Sequence, residues 1–211
     1  MKIKALLSVA ALLAAGTASA HDNFGKSGIL FVFDGAIMDI PVRVGAAGAP
    51  AGPNLVAGVT PGGAPWGMTS FSAIIKNNGD VRARGTGVLL LGTDNLGSRG
   101  GPRQLVLSLF CRNAPVAPAV TGALNTANPF NSAPVTLDED GDFSVRSTFT
   151  DASGATPPLD CGDNVDNRPV LLVRNWNPAN AGTGAPAAPG PWFAAGVIAP
   201  KWNKGRWKYW D

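Results

Sequence analysis

The chain has 211 residues, with 17 lysines and arginines against 14 acidic residues and a formal net charge of +3. Removal of the leader described below takes Lys2 and Lys4 and leaves 15 basic against 14 acidic residues, a balance that speaks against nucleic acid or anionic membrane as general partners. His21 is the single histidine, which excludes most catalysis that needs an imidazole inside the fold.

Met1 to Lys4 is a short basic leader, and residues 5–15 ("ALLSVAALLAA") form a brief apolar core. Thr17-Ala18-Ser19-Ala20 places alanine at the two positions that signal peptidase reads. The apolar core falls short of the roughly 20 residues of a bilayer crossing, so a secretory signal is expected rather than a membrane span. No cysteine follows the cut to carry a lipid anchor. No later stretch is long and apolar enough to span a membrane as a helix. The expected destination is periplasmic, cell-surface or extracellular, and cleavage would make His21 the first residue.

Glycine (27) and proline (18) are abundant, and Glu139 is the only glutamate among the 14 acidic residues. Such a composition favours turns and strands over helices. The first predicted strand covers 28–35, apolar from Ile29 to Phe33 as if covered on both faces. Residues 36–44 read as a continuing partner, restricted by Pro41 to an edge or a bulge. Residues 45–65 lack periodicity and read as a long loop. A hairpin is predicted over 69–85, where Phe71, Ala73 and Ile75 alternate with Ser70, Ser72 and Ile74 and Val81 and Ala83 alternate with Arg82 and Arg84. Asn78-Gly79 suggests a type I′ turn, whose two central positions need positive φ. A buried strand follows over 88–91. Residues 104–111 come next, with Leu105, Leu107 and Leu109 on one side and Val106, Ser108 and Phe110 on the other. After a second loop at 113–132, another hairpin is predicted over 133–150. The last strands are 170–173 and 192–198, separated by a Pro/Ala/Gly loop over 175–191.

Seven to nine short strands, with no βαβ alternation, predict an all-β fold. The expected form is a single-domain antiparallel β-sandwich or small β-barrel with long Gly/Pro/Ala-rich loops and one disulfide. The domain would run over 21–211 and end in a basic aromatic segment at 200–211. Cys111 and Cys161 are the only cysteines, and export makes their pairing the natural reading. A two-cysteine metal site is the alternative, one that would need unusual carboxylate partners for zinc.

Several side chains compete for a chemical role. There is no G-x-S-x-G, P-loop or dinucleotide fingerprint. Paired carboxylates could still hydrolyse glycosides without histidine. Asp34 and Asp39 lie in or beside the first apolar strands; they read either as acids with raised pKa or as strand-end caps. The turn Asp138-Glu139-Asp140-Gly141-Asp142 opens like a calcium loop, with Asp138, Asp140 and Asp142 at relative positions 1, 3 and 5. Gly141 then comes too early and Phe149 stands where a bidentate glutamate is required, so the choice is a solvated acidic turn or a weak calcium site. Asp160, Asp163 and Asp166 form a similar loop cluster beside Cys161. His21 with Asp22 offers half of a copper site, the second histidine of a brace being absent.

The C-terminal "KWNKGRWKYWD" interleaves Trp202, Trp207, Tyr209 and Trp210 with Lys201, Lys204, Arg206 and Lys208. Aromatic planes beside hydrogen-bond donors suit stacking on sugar rings, with Trp202, Arg206, Trp207, Tyr209 and Trp210 as the binding candidates. The competing reading packs the same tryptophans into the core.

The expected function is a non-catalytic exported β protein, a structural or binding component of the envelope or exterior. Its partners would be a polysaccharide or another envelope or extracellular protein. A carbohydrate-binding or carbohydrate-active protein working through the tail tryptophans, and a copper-binding protein working through His21, are the alternatives.

Overall fold

A computed structural model describes residues 28–44, 50–112, 123–162 and 167–199. They contain thirteen strands and no helix. In chain order these are β1 (Ile29–Met38), β2 (Val42–Val44), β3 (Pro50–Pro53), β4 (Trp66–Gly67), β5 (Ser70–Lys76), β6 (Asp80–Thr86), β7 (Leu89–Leu90), β8 (Gln104–Phe110), β9 (Phe130–Asn131), β10 (Val135–Thr136), β11 (Phe143–Thr148), β12 (Val170–Asn177) and β13 (Ala188–Ile198).

Nine strands form one antiparallel sheet in the order β10-β8-β12-β13-β1-β5-β6-β11, with β9 also on β8. The sheet curls into a half-barrel, and two small pairs, β2 with β3 and β4 with β7, lie off it. The core fills the concave side. Phe33, Ile75, Leu105, Leu107, Leu109, Leu171 and Phe149 are fully excluded from solvent there. At roughly 1.5–3 kcal/mol per buried large apolar side chain, this layer dominates the stabilisation.

β8 behaves as its alternation predicts. Leu105, Leu107 and Leu109 join the main core, while Phe110 points to the opposite face and packs with Leu172 and Trp192. That second, outer cluster is covered by Val56, Ala57, Val59 and Leu124. The segment expected to be a featureless loop therefore has a structural task. Val56 and Val59 exchange backbone hydrogen bonds across Ala57 and Gly58, which hold φ of 50° and 75°. The type I′ turn geometry occurs here.

At Asn78-Gly79 it does not. Gly79 has φ of 86°, but Asn78 does not share a positive φ, and the Gly79 N–H bonds to the Lys76 carbonyl. This is a three-residue loop ending in a left-handed glycine. The β5–β6 hairpin itself forms as expected, with Ile75 opposite Val81 and Ala73 opposite Ala83.

Other expectations change. β1 runs unbroken through Gly35, and its last residues pair with β13 alone, leaving Ile37 and Met38 exposed. Only Leu89 and Leu90 of the predicted 88–91 strand are extended, and they pair with β4. The second hairpin is not a hairpin. β10 pairs with β8 and β11 pairs with β6, at opposite ends of the sheet path. The tight turn between them carries the chain from one end of the half-barrel to the other.

The two ends are laced where they meet. Asn131 N–H donates to the Thr150 carbonyl at 2.8 Å and Thr150 N–H returns the bond to Asn131 at 3.0 Å. Ala133 N–H adds a bond to Ser147 Oγ at 2.9 Å.

Cys111, just past β8, is disulfide-bonded to buried Cys161. The bond closes a sequence separation of 50 residues, and Arg112 N–H beside it bonds to the Cys161 carbonyl at 3.0 Å. The chain-entropy model assigns such a link about 4 kcal/mol. Replacing both cysteines by serine is expected to lower the melting temperature by roughly 10 °C, measured by calorimetry. A change within about 2 °C, no more than a single kcal/mol produces at this size, would show that the link constrains little.

Candidate functional site

Where the two ends of the sheet meet, an open groove of about 480 Å³ runs across the outer surface. Asn128, Asn131, Ser147, Thr150, Asp151 and Trp176 line it, with Pro189 at its flank. Four separate stretches of chain contribute, at 127–133, 147–152, 176 and 189, brought together by the closure of the sheet.

Two hydrogen-bond relays set the polar side chains. In the first, Asp151 Oδ1 accepts from Ser153 N–H at 2.8 Å, Ser153 Oγ at 2.7 Å and Ala155 N–H at 2.9 Å, and Oδ2 accepts from Asn128 Nδ2 at 2.8 Å. The Ser153 hydroxyl bond, together with these other donors, holds the Asp151 carboxyl below the usual carboxylate range. Asp151 therefore stays ionised at neutral pH.

In the second relay, half-buried Arg174 on β12 donates from Nη1 to Ser108 Oγ at 3.3 Å, from Nε to the Gly190 carbonyl at 2.8 Å and from Nη2 to the Pro189 carbonyl at 3.0 Å. Ser108 Oγ in turn donates to Asn131 Oδ1 at 2.6 Å. Burial pushes the Arg174 guanidinium down to about 10, which still leaves it charged at neutral pH. The relay fixes the Asn131 amide with its oxygen inward and its nitrogen free to donate, one N–H of which reaches the Pro129 carbonyl at 3.4 Å.

Asp138 and Asp142 are occupied in the turn. Asp138 Oδ1 accepts the Asp142 N–H at 2.7 Å, and Asp142 Oδ1 accepts the Gly87 N–H at 3.0 Å. Gly141 lies so close to Val88 that an added Cβ would stand 2.6 Å from its backbone nitrogen. Asp140 is exposed. Among the described residues no group of three or more His, Cys, Asp or Glu side chains is placed to hold a metal ion.

Asp34 is exposed beside β5, whereas Asp39 is 4% exposed. The Asp39 carboxylate accepts Trp66 N–H at 2.7 Å and Gly62 N–H at 3.1 Å, and so anchors the segment that leads into β4. Burial raises its pKa above the ordinary 3.8, against the lowering effect of those two N–H groups. His21, Asp22, Asp163, Asp166, Trp202, Arg206, Trp207, Tyr209 and Trp210 lie outside the described residues. Trp192, near the tail in sequence, is 2% exposed in the outer cluster.

Comparison with protein families, with curated proteins and with solved structures finds no match. The strand predicted over 170–173 stops before "RNWN" and so leaves Trp176 out of the sheet. β12 in fact continues through Arg174 and Trp176 to Asn177. A tryptophan in a polar run at a strand end was the available signal.

The raised Asp39 pKa has a definite sign. The folded state favours the protonated carboxyl, so this group's contribution is greatest at pH below the ordinary carboxylate range and is lost as pH rises through the raised value. Asp39→Asn is expected to flatten the fall in stability as pH rises above the ordinary carboxylate value of 3.8. Asp39→Ala leaves two N–H groups without an acceptor and is expected to cost about 2 kcal/mol. Urea denaturation across that pH range checks both, and an unaltered pH profile in Asp39→Asn would contradict the assignment.

Proposed function

We propose that this chain is an exported, non-catalytic binding component of the cell envelope or exterior. The observation that carries the reading is the groove: an open surface of about 480 Å³ whose polar side chains are held in place by hydrogen bonds on a disulfide-braced sheet. Such a site is built to hold a ligand without changing it. The most buried carboxylate, Asp39, is committed to backbone N–H groups rather than aimed into an open cleft. The disulfide suits an oxidising compartment, in agreement with the leader.

Expression of the full chain with its leader in a bacterial host, followed by mass spectrometry of the periplasmic and medium fractions, tests the reading. The expected product begins at His21 and carries an oxidised Cys111–Cys161 pair. A full-length reduced chain confined to the cytoplasm would refute export.

A further inference from the structure

We infer that the Trp176 groove binds a neutral saccharide. This rests on the binding-component reading and names the ligand class. Four observations converge. Trp176 gives the groove an indole surface, and such a ring suits the C–H face of a pyranose. Around it stand groups that both donate and accept: the Ser147 and Thr150 hydroxyls and the fixed amides of Asn128 and Asn131. A sugar hydroxyl does the same, so each contact can be satisfied in either sense.

The charge selects against acids. Among the described residues Asp151 is the one charged side chain lining the groove and is anionic, so it repels phosphate, sulfate or uronate; with Oδ1 taken by three donors, Oδ2 is the oxygen left to accept a sugar hydroxyl. The backbone at Asn131 is closed to an extended peptide: it pairs with Ser108 on one side and exchanges bonds with Thr150 on the other, so a peptide strand has nothing to add to at that residue. Arg174 lies behind Ser108, where it orients Asn131 through the hydroxyl and acts as a positioning residue.

The test is an array of immobilised neutral oligosaccharides, acidic oligosaccharides and peptides, probed with the labelled full chain and its variants. The expected result is retention on neutral glycans. Trp176→Ala should weaken it about tenfold or more, as truncating an aromatic anchor does. Trp176→Phe should keep most of the binding, and Asp151→Asn should weaken it. No retention on any neutral glycan, preference for acidic glycans or peptides, or retention unaffected by Trp176→Ala would overturn the proposal. The last of these would move sugar binding to the C-terminal tryptophans. An exported chain that ignores neutral glycans refutes the ligand class alone, whereas a glycan-binding chain that stays in the cytoplasm refutes the compartment alone.

Discussion

The concave face of the nine-stranded sheet must bury its apolar residues largely against itself. Among the described residues no helix covers it, and the small β4–β7 pair adds Trp66 and Leu90 to the same core. Phe33, Ile75, Leu107, Leu109, Leu171 and Phe149 escape water because the sheet curls, the hydrophobic burial working together with the natural twist of strands. Curling also handles a second difficulty. A long flat sheet would present two open edges, whereas here the edges come within hydrogen-bonding reach of each other.

The remaining features follow from that curl. The chain passes from one end of the half-barrel to the other at Asp138–Asp142, where side-chain carboxylates take up the N–H groups of a tight turn. On the convex side, Phe110, Leu172 and Trp192 would be exposed on a bare sheet, and the turn at Ala57-Gly58 lies over them. Asp39 secures the other end of that covering segment by taking two of its N–H groups. The groove is where covering stops: polar side chains of the seam meet Trp176, and among the described residues no apolar loop crosses them.

Much of this was legible in the residues, and what was not has identifiable causes. The alternation in Phe71-Ala73-Ile75 and Val81-Ala83 marks a half-buried hairpin without ambiguity. The side assignment of Leu105, Leu107 and Leu109 follows from period two, and a chain with two cysteines allows one intramolecular pairing. Partnering is another matter. Val135-Thr136 and Phe143–Thr148 flank a turn, and the same pattern arises whether they pair with each other or with Leu105 and Val145's partner Ala83 on distant strands. The asparagine before Gly79 favours a type I′ turn locally, yet the three-residue loop keeps Asn78 out of positive φ and places Asn78 Oδ1 on the Asp80 N–H. The groove draws on residues 128, 131, 147, 150, 151 and 176, and only the closed sheet makes neighbours of them.

Native-state hydrogen exchange at Asn131 and Thr150 tests the closure most directly, because their reciprocal bonds tie one end of the sheet to the other. If the curl is the organising constraint, these two amides exchange as slowly as Leu109 and Leu171 in the centre of the sheet, through global unfolding alone. Exchange at the rate of the exposed 181–187 loop would contradict it, leaving an open sheet with a loose edge and no fixed groove.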